Sequence, residues 1–231
     1  MNYDAVIVAS GKGERANLGY NKTFYKMKDN KSVLMHSVDL FCSDPDCKKV
    51  VIVTNEEYFD QIPRHEKIVV TKGGLLRKDS VYNGLKRTES DYVLIHDGAR
   101  PFLHAETLEK IKEKVVESRA VISGRYTIDT IKIVKDGVIE KTIDRKTVFM
   151  AETPQAFARE LIMKCYENCE DIEFTDDASL AESLGYKVAV VADAYNNRKL
   201  TKEEDFKDII LYLLTKQKTD GYMKELLFYY L

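Results

Sequence analysis

Short β-branched runs alternate with helix-spaced segments through the first half of the chain. Val6-Ile7-Val8, within Tyr3–Ser10, reads as a strand buried on both faces, as do Lys49–Thr54 (KVVIVT) and Tyr92–His96 (YVLIH). Lys67–Thr71 is a shorter run of the same kind, and Ala120–Ser123 reads as a further strand. Between them, Val33–Phe41, Asp79–Arg87 and Glu106–Glu117 space their apolar residues as helices do. This order predicts an α/β fold, Rossmann-like, with a mixed, mostly parallel sheet flanked by helices. Ligands of such sheets lie beyond the C-terminal ends of the strands. Three of these strands end at chemically loaded loops, beginning at Ser10, Thr71 and His96.

The pattern changes over Arg125–Thr153. Asp129–Val134 and Val138–Ile143 alternate with period two around Asp136-Gly137, a hairpin turn signal. This predicts a β-arm at about 125–150 inserted in one domain spanning 1–231. A lone hairpin is marginally stable, so the arm is expected to pack on a second copy of the chain. Helices over Ala158–Cys169, Asp177–Leu184 and Lys202–Thr215, with a strand over Lys187–Val191, complete the α/β pattern before a mixed tail, 216–231.

Composition narrows the partners. With 36 Lys+Arg against 38 Asp+Glu in 231 residues, the net charge is -2, which gives no general attraction to nucleic acid or to an anionic membrane. No apolar run is long enough to span a bilayer, and the N-terminus lacks the basic and apolar regions of a signal peptide. The four cysteines, Cys42, Cys47, Cys165 and Cys169, show no CxxC spacing, so reduced thiols in a cytoplasmic protein are the expectation. Any anionic ligand must therefore be held by a local basic cluster.

Gly11-Lys12-Gly13-Glu14-Arg15-Ala16 follows the first strand and matches GxGxxA. A dinucleotide fold fits poorly, because no apolar helix follows and the second strand begins too late to place the ribose-binding acid. Asn21-Lys22-Thr23 has no glycine before its lysine, so it is not a Walker A loop either. What remains is a glycine backbone carrying Lys12, Arg15 and Lys22, suited to phosphate oxygens, with a charged surface loop as the plain alternative. Asp97 by itself reads as a turn carboxylate, and Thr175-Asp176-Asp177 reads as a helix N-cap. Ser179-x-x-Glu182 has capping-box spacing. The four histidines read as structural.

Together these residues resemble the 2-C-methyl-D-erythritol 4-phosphate cytidylyltransferase family. Ser10-Gly11-x-Gly13-x-Arg15-x(6)-Lys22 is similar to its signature loop. Gly73-Gly74-x-x-Arg77-x-x-Ser80, His96–Pro101, Asp129–Lys132, Asp144-Arg145, Thr153-Pro154-Gln155, Thr175–Ser179 and Lys199-Leu200-Thr201 follow in order. The resemblance implies transfer of CMP from CTP to a polyol phosphate with release of pyrophosphate, a divalent cation (Mg2+), and a homodimer formed through the arm. It implies catalytic roles for Arg15, Lys22 and Lys199, and nucleotide contacts at Ser10, Gly11, Gly13, Gly74, Ser80 and Gly98. Arg100, Thr130, Arg145, Thr153 and Thr175 would hold the polyol phosphate, and Asp97 the metal. The nearest relative in activity makes CDP-ribitol from ribitol 5-phosphate, and a non-catalytic nucleotide-binding relative is a further alternative. Two residues depart from the family pattern. Asn21 stands where a proline is usual, implying a looser loop, and Ala16 replaces a methionine, implying a lost packing contact.

Overall fold

A computed structural model describes residues 1–206 apart from Lys12, Glu14, Arg15, Asn17, Lys28, Asp171 and Asn196. The catalytic expectation for Arg15 and the reading of the tail therefore lie outside the described residues. So does most of the helix expected over Lys202–Thr215, of which residues 203–206 are helical.

Nine strands and five helices are described: β1 Tyr3–Val8, α1 Val33–Ser43, β2 Cys47–Thr54, β3 Ile68–Lys72, α2 Arg77–Leu85, β4 Tyr92–Asp97, α3 Ala105–Ser118 and β5 Ala120–Tyr126, then β6 Ile131–Lys135, β7 Val138–Ile143, β8 Phe149–Ala158, α4 Arg159–Glu167, α5 Asp177–Ser183 and β9 Ala189–Ala192. Seven form one sheet in the order β3-β2-β1-β4-β8-β5-β9. β8 runs antiparallel to both of its neighbours, and the other pairs are parallel. The Rossmann-like expectation holds, including the mixed sheet.

Side-chain alternation along β1 explains the two layers. Tyr3, Ala5 and Ile7 face one side, where Leu34, Val38 and Phe41 of α1 and Leu108, Ile111 and Val115 of α3 cover them. Val6 faces the other, with Val51, Val53, Val93 and Ile95, under Val81 and Leu85 of α2 and Leu161 and Ile162 of α4. Strands covered on both faces must be apolar throughout, which is why β1, β2 and β4 were readable. The chain leaves β1 in one direction, to β2 and β3, then returns to place β4 on the other side. That reversal opens a crevice between β1 and β4 at their C-terminal ends.

β8 corrects the sequence reading. It occupies residues expected to be a polar motif and the start of a helix, and α4 begins at Arg159. Pro154 lies inside it, where a proline argues against a central strand. The β5–β8 ladder shifts register between Ile122 and Gly124, the stretch opposite Pro154.

β6 and β7 pair only with each other, as a separate antiparallel sheet. Asp136 and Gly137 both have positive φ, 50° and 78°, as a two-residue hairpin turn of the I′ type requires. The hairpin leaves apolar side chains in the open, including Ile128 at 82%, Val138 at 68% and Ile139 at 60% exposed.

Candidate active site

A cleft of about 720 Å³ lies over the C-terminal ends of the strands, a size that suits a nucleotide. Its walls come from the segments after β1, β2, β3 and β4. Of the expected site residues, Ser10, Gly11, Gly13, Lys22, Gly74, Ser80, Asp97 and Lys199 line it.

The first loop is shaped by Gly13, whose φ is +73°. A Cβ there would sit 3.1 Å from Lys22 N and 3.2 Å from Tyr20 O, so backbone passes where a side chain would stand. Ser80 ties the next loop on: its Oγ lies 2.8 Å from Ser10 Oγ and accepts from Gly74 N at 3.0 Å. A Cβ on Gly74 would meet Asp79 Cβ at 2.2 Å. That aspartate caps the start of α2 by accepting from Leu76 N at 2.9 Å. Leu75, fully exposed, and Leu76 give this part of the rim an apolar edge.

Asp97 ends β4 and faces three cations. Lys199 Nζ donates to its Oδ2 at 2.7 Å, Arg77 Nη2 lies 3.6 Å from Oδ1, and Arg100 Nε lies 3.7 Å from Oδ2. Burial alone would raise the Asp97 carboxyl, but Lys199, Arg77 and Arg100 overcome it and hold the group well below the usual carboxylate range. Arg77 is itself oriented by a bidentate pair with Asp177, at 3.2 and 2.8 Å. Tyr166 Oη donates to the same carboxylate at 2.6 Å. Burial works against the Arg77 charge, yet Asp177 and Asp97 raise its pKa above the ordinary value.

The Thr153-Pro154-Gln155 block acts from behind the cleft. Thr153 Oγ1 accepts from Asp97 N at 3.1 Å and lies within hydrogen-bond distance of His96 Nδ1, at 3.0 Å. Gln155 donates to Asp176 Oδ2 at 2.7 Å and accepts from Ala178 N at 2.9 Å, fastening the start of α5. The capping box there is Asp176 with Ser179, not Ser179 with Glu182. Gly98 lies between the lining residues Asp97 and Ala99 but does not itself line the cleft; its N–H donates to Val8 O at 2.9 Å, and a Cβ would press on Leu34 and Ala9. Arg100 Nη1 donates to Asn197 O at 2.8 Å, while its Nε has no hydrogen-bond partner among the described residues.

Thr175 is exposed beside the start of α5. Thr130 and Arg145 are exposed at the base of the hairpin, where Arg145 Nη1 donates to Ile128 O at 2.9 Å. They line a separate shallow depression or none, and not the cleft.

Both departures from the family pattern look different in three dimensions. Asn21 is buried, and its main-chain N–H and both ends of its side-chain amide are hydrogen-bonded. Ala16 is completely buried against Met27, Val33, Phe102 and Leu200, which close over the small side chain. Arg77, Asp177 and Asn21 are the contributors that sequence reasoning left off the site. Arg77 lay inside a quoted block, a signal that was available.

A glycine-lined crevice at a sheet's switch point, with cations gathered around one ionised carboxylate, places the chain among α/β enzymes that handle nucleotide phosphates. The particular family follows from comparison with known proteins. The model of the IspD family, 2-C-methyl-D-erythritol 4-phosphate cytidylyltransferase, matches residues 3–214, and the chain belongs to that family. The enzyme of that name from Bacillus licheniformis is 40% identical over 215 residues, 89% of this chain and 93% of the relative. The one from Clostridioides difficile is 36% identical over 229 residues, 94% of this chain and 96% of the relative. The crystal structure of 4-diphosphocytidyl-2C-methyl-D-erythritol synthase from Anaerococcus prevotii superposes with a TM-score of 0.82 at 30% identity, covering 92% of this chain and 96% of that one.

Proposed function

We propose that this enzyme transfers CMP from CTP to 2-C-methyl-D-erythritol 4-phosphate, giving CDP-methylerythritol and pyrophosphate for isoprenoid precursor synthesis. The observation that carries the reading is the cleft itself, with the glycine loop and Lys22 on one side and Asp97 with Lys199 and Arg77 on the other.

The reaction forms a bond from the substrate phosphate oxygen to the α-phosphorus of CTP and breaks the bond from that phosphorus to the bridging oxygen. The pyrophosphate leaves with the electron pair. The attacking oxygen is already ionised at neutral pH, so no general base is needed. Two polyanions must be brought together, and charge develops on the α-phosphate oxygens. In our reading, Gly11 and Gly13 present backbone to the triphosphate, and Arg15 and Lys22 neutralise it as the bond order changes. Ser10, Gly74, Ser80 and Gly98 shape the nucleoside end. Lys199 stands where the two phosphates meet, Arg100 and Thr175 serve the polyol phosphate, and Thr153 contributes from behind by holding Asp97.

Among the described residues that line the cleft, Asp97 is the one carboxylate, and among the described residues no group of three or more acidic, histidine or cysteine side chains is placed to hold a metal ion. A single ionised carboxylate fits magnesium, which is commonly held by one or two carboxylates with substrate phosphates and water. When bound, the ion would supply positive charge to the nucleotide phosphates.

We read 1–231 as one domain with the arm at about 125–150 inserted and 216–231 as its tail, and the active species as a homodimer joined through the arm. Exposed Ile128, Val138 and Ile139 support the dimer, as does the position of Thr130 and Arg145 away from the cleft of their own chain. Among the described residues no helix is long and apolar enough to cross a membrane, and all four cysteines are unpaired. Unpaired thiols suit the reducing cytoplasm, where we place the reaction.

The test is pyrophosphate release from CTP and magnesium with 2-C-methyl-D-erythritol 4-phosphate or with ribitol 5-phosphate. Release with the first is expected. Release only with ribitol 5-phosphate would overturn the substrate, and release with neither would overturn the enzyme reading.

A further inference from the structure

Asn21 stands immediately before Lys22, at the head of the 3-10 turn Lys22–Phe24. Its φ is -64°, near the value that a proline ring imposes covalently. An asparagine has no such constraint, so the torsion must be held by contacts. Four hydrogen bonds do this. Nδ2 donates to Ala9 O at 2.5 Å, which fastens the turn to the end of β1. Oδ1 accepts from Thr23 N at 3.1 Å and from Thr23 Oγ1 at 2.9 Å. The main-chain N–H donates to Tyr58 Oη at 3.0 Å. The Tyr58 ring also stacks on Phe24, with centroids 4.3 Å apart and planes 15° from parallel. One tyrosine thus holds the residue before Lys22 and the second residue after it. Asn21 is only 2% exposed, and both ends of its amide are engaged, so the side chain has a single satisfied orientation.

We propose that Asn21, backed by Tyr58, is a positioning residue for Lys22. It sets the backbone torsion ahead of the lysine so that the ammonium group meets the phosphates in the cleft. The inference rests on the cytidylyltransferase reading above. Positioning dominates phosphoryl-type transfer, and a displacement of about 1 Å is enough to cost about a hundredfold in rate. A side chain that works by fixing φ can be replaced by a proline ring, which makes none of its hydrogen bonds. A side chain that serves only as buried packing and hydrogen bonding cannot.

The experiment compares wild type, Asn21→Ala, Asn21→Pro and Tyr58→Phe by steady-state pyrophosphate release and by thermal unfolding. Asn21→Ala is expected to lower kcat about tenfold or more, with KM for CTP changed by less than about twofold. Asn21→Pro is expected to recover most of that kcat. Tyr58→Phe keeps the stacked ring and loses one hydroxyl, so it tests the proposal even where Asn21→Ala fails to fold. It should lower kcat a few-fold while the protein stays folded, with only a modest drop in the unfolding midpoint from the unpaired Asn21 N–H. A proline variant as slow as the alanine variant, a loss confined to KM, or full kcat in Tyr58→Phe would each overturn the proposal. Failure of the underlying function would show separately, as no release by the wild type.

Discussion

His96 sits inside the sheet with no exposed surface, yet every polar atom of its ring is engaged. Thr153 Oγ1 lies 3.0 Å from Nδ1, while Ser37 Oγ and Arg100 O face Nε2. A carbonyl oxygen can only accept, so the proton of the neutral ring belongs on Nε2, 3.1 Å from Arg100 O. Burial pushes the pKa of this neutral ring down to about 4, against about 6.5 in an unfolded chain. Between those values the unfolded chain takes up a proton that the folded one refuses. Stability therefore falls as pH drops from about 6.5 to about 4, by up to about 3 kcal/mol from this group. Asp97, whose folded pKa is depressed, adds a loss that begins only near pH 4 and below. Urea denaturation between pH 7 and 4.5 should show the decline in the wild type and a shallower one in His96→Gln. Equal slopes would mean that another group titrates there. At this scale Lys22, Asp97 and Lys199 were legible because each stands in a distinctive block. The clamp of Asp177 on Arg77 was not, because nothing in one dimension joins residues so far apart.

The strands most easily read were those buried on both faces, and the one that escaped is central for a chemical reason. β8 carries Thr153, Pro154 and Gln155 where an apolar run would be expected, and its polar groups are satisfied by Asp97, His96, Asp176 and Ala178. The strand is thus both a sheet element and the support of the site, and its composition follows the second role. Helix α2 shows the opposite case, an element fixed by packing. A Cβ added at Gly84 would fall 2.4 Å from Val6 Cγ1 and 2.8 Å from Val53 Cγ2, so the glycine sets how closely α2 lies on β1 and β2. Gly84→Ala must push the helix outward or shift both valines, which is expected to cost about 1–3 kcal/mol. Because Arg77 and Ser80 ride on the same helix, CTP binding should weaken along with the unfolding midpoint. A variant as stable as wild type would show that the layer yields without strain.

On the scale of the molecule, the near-neutral charge of the chain hides how unevenly it is placed, with Lys22, Arg77, Arg100 and Lys199 at or beside one cleft. Two further expected contributors, Thr130 and Arg145, stand on the hairpin instead. In the proposed dimer each arm completes the cleft of the partner, so every site draws Lys22 from one chain and Arg145 from the other. Lys22→Ala and Arg145→Ala should then each be nearly inactive alone. Mixed in equal amounts under conditions of subunit exchange, about half of the dimers become heterodimers of two-fold type. In each of these, one site carries both lesions and the other carries none, so about a quarter of wild-type activity should return. If each chain used its own arm, every site in the mixture would keep one lesion, and mixing would restore nothing. Sizing before and after exchange separates that outcome from a failure to exchange. A variant in which residues 131–143 are replaced by a short turn should elute as a monomer that no mixture rescues, because the surface that joins the chains and the residue that crosses between them leave together.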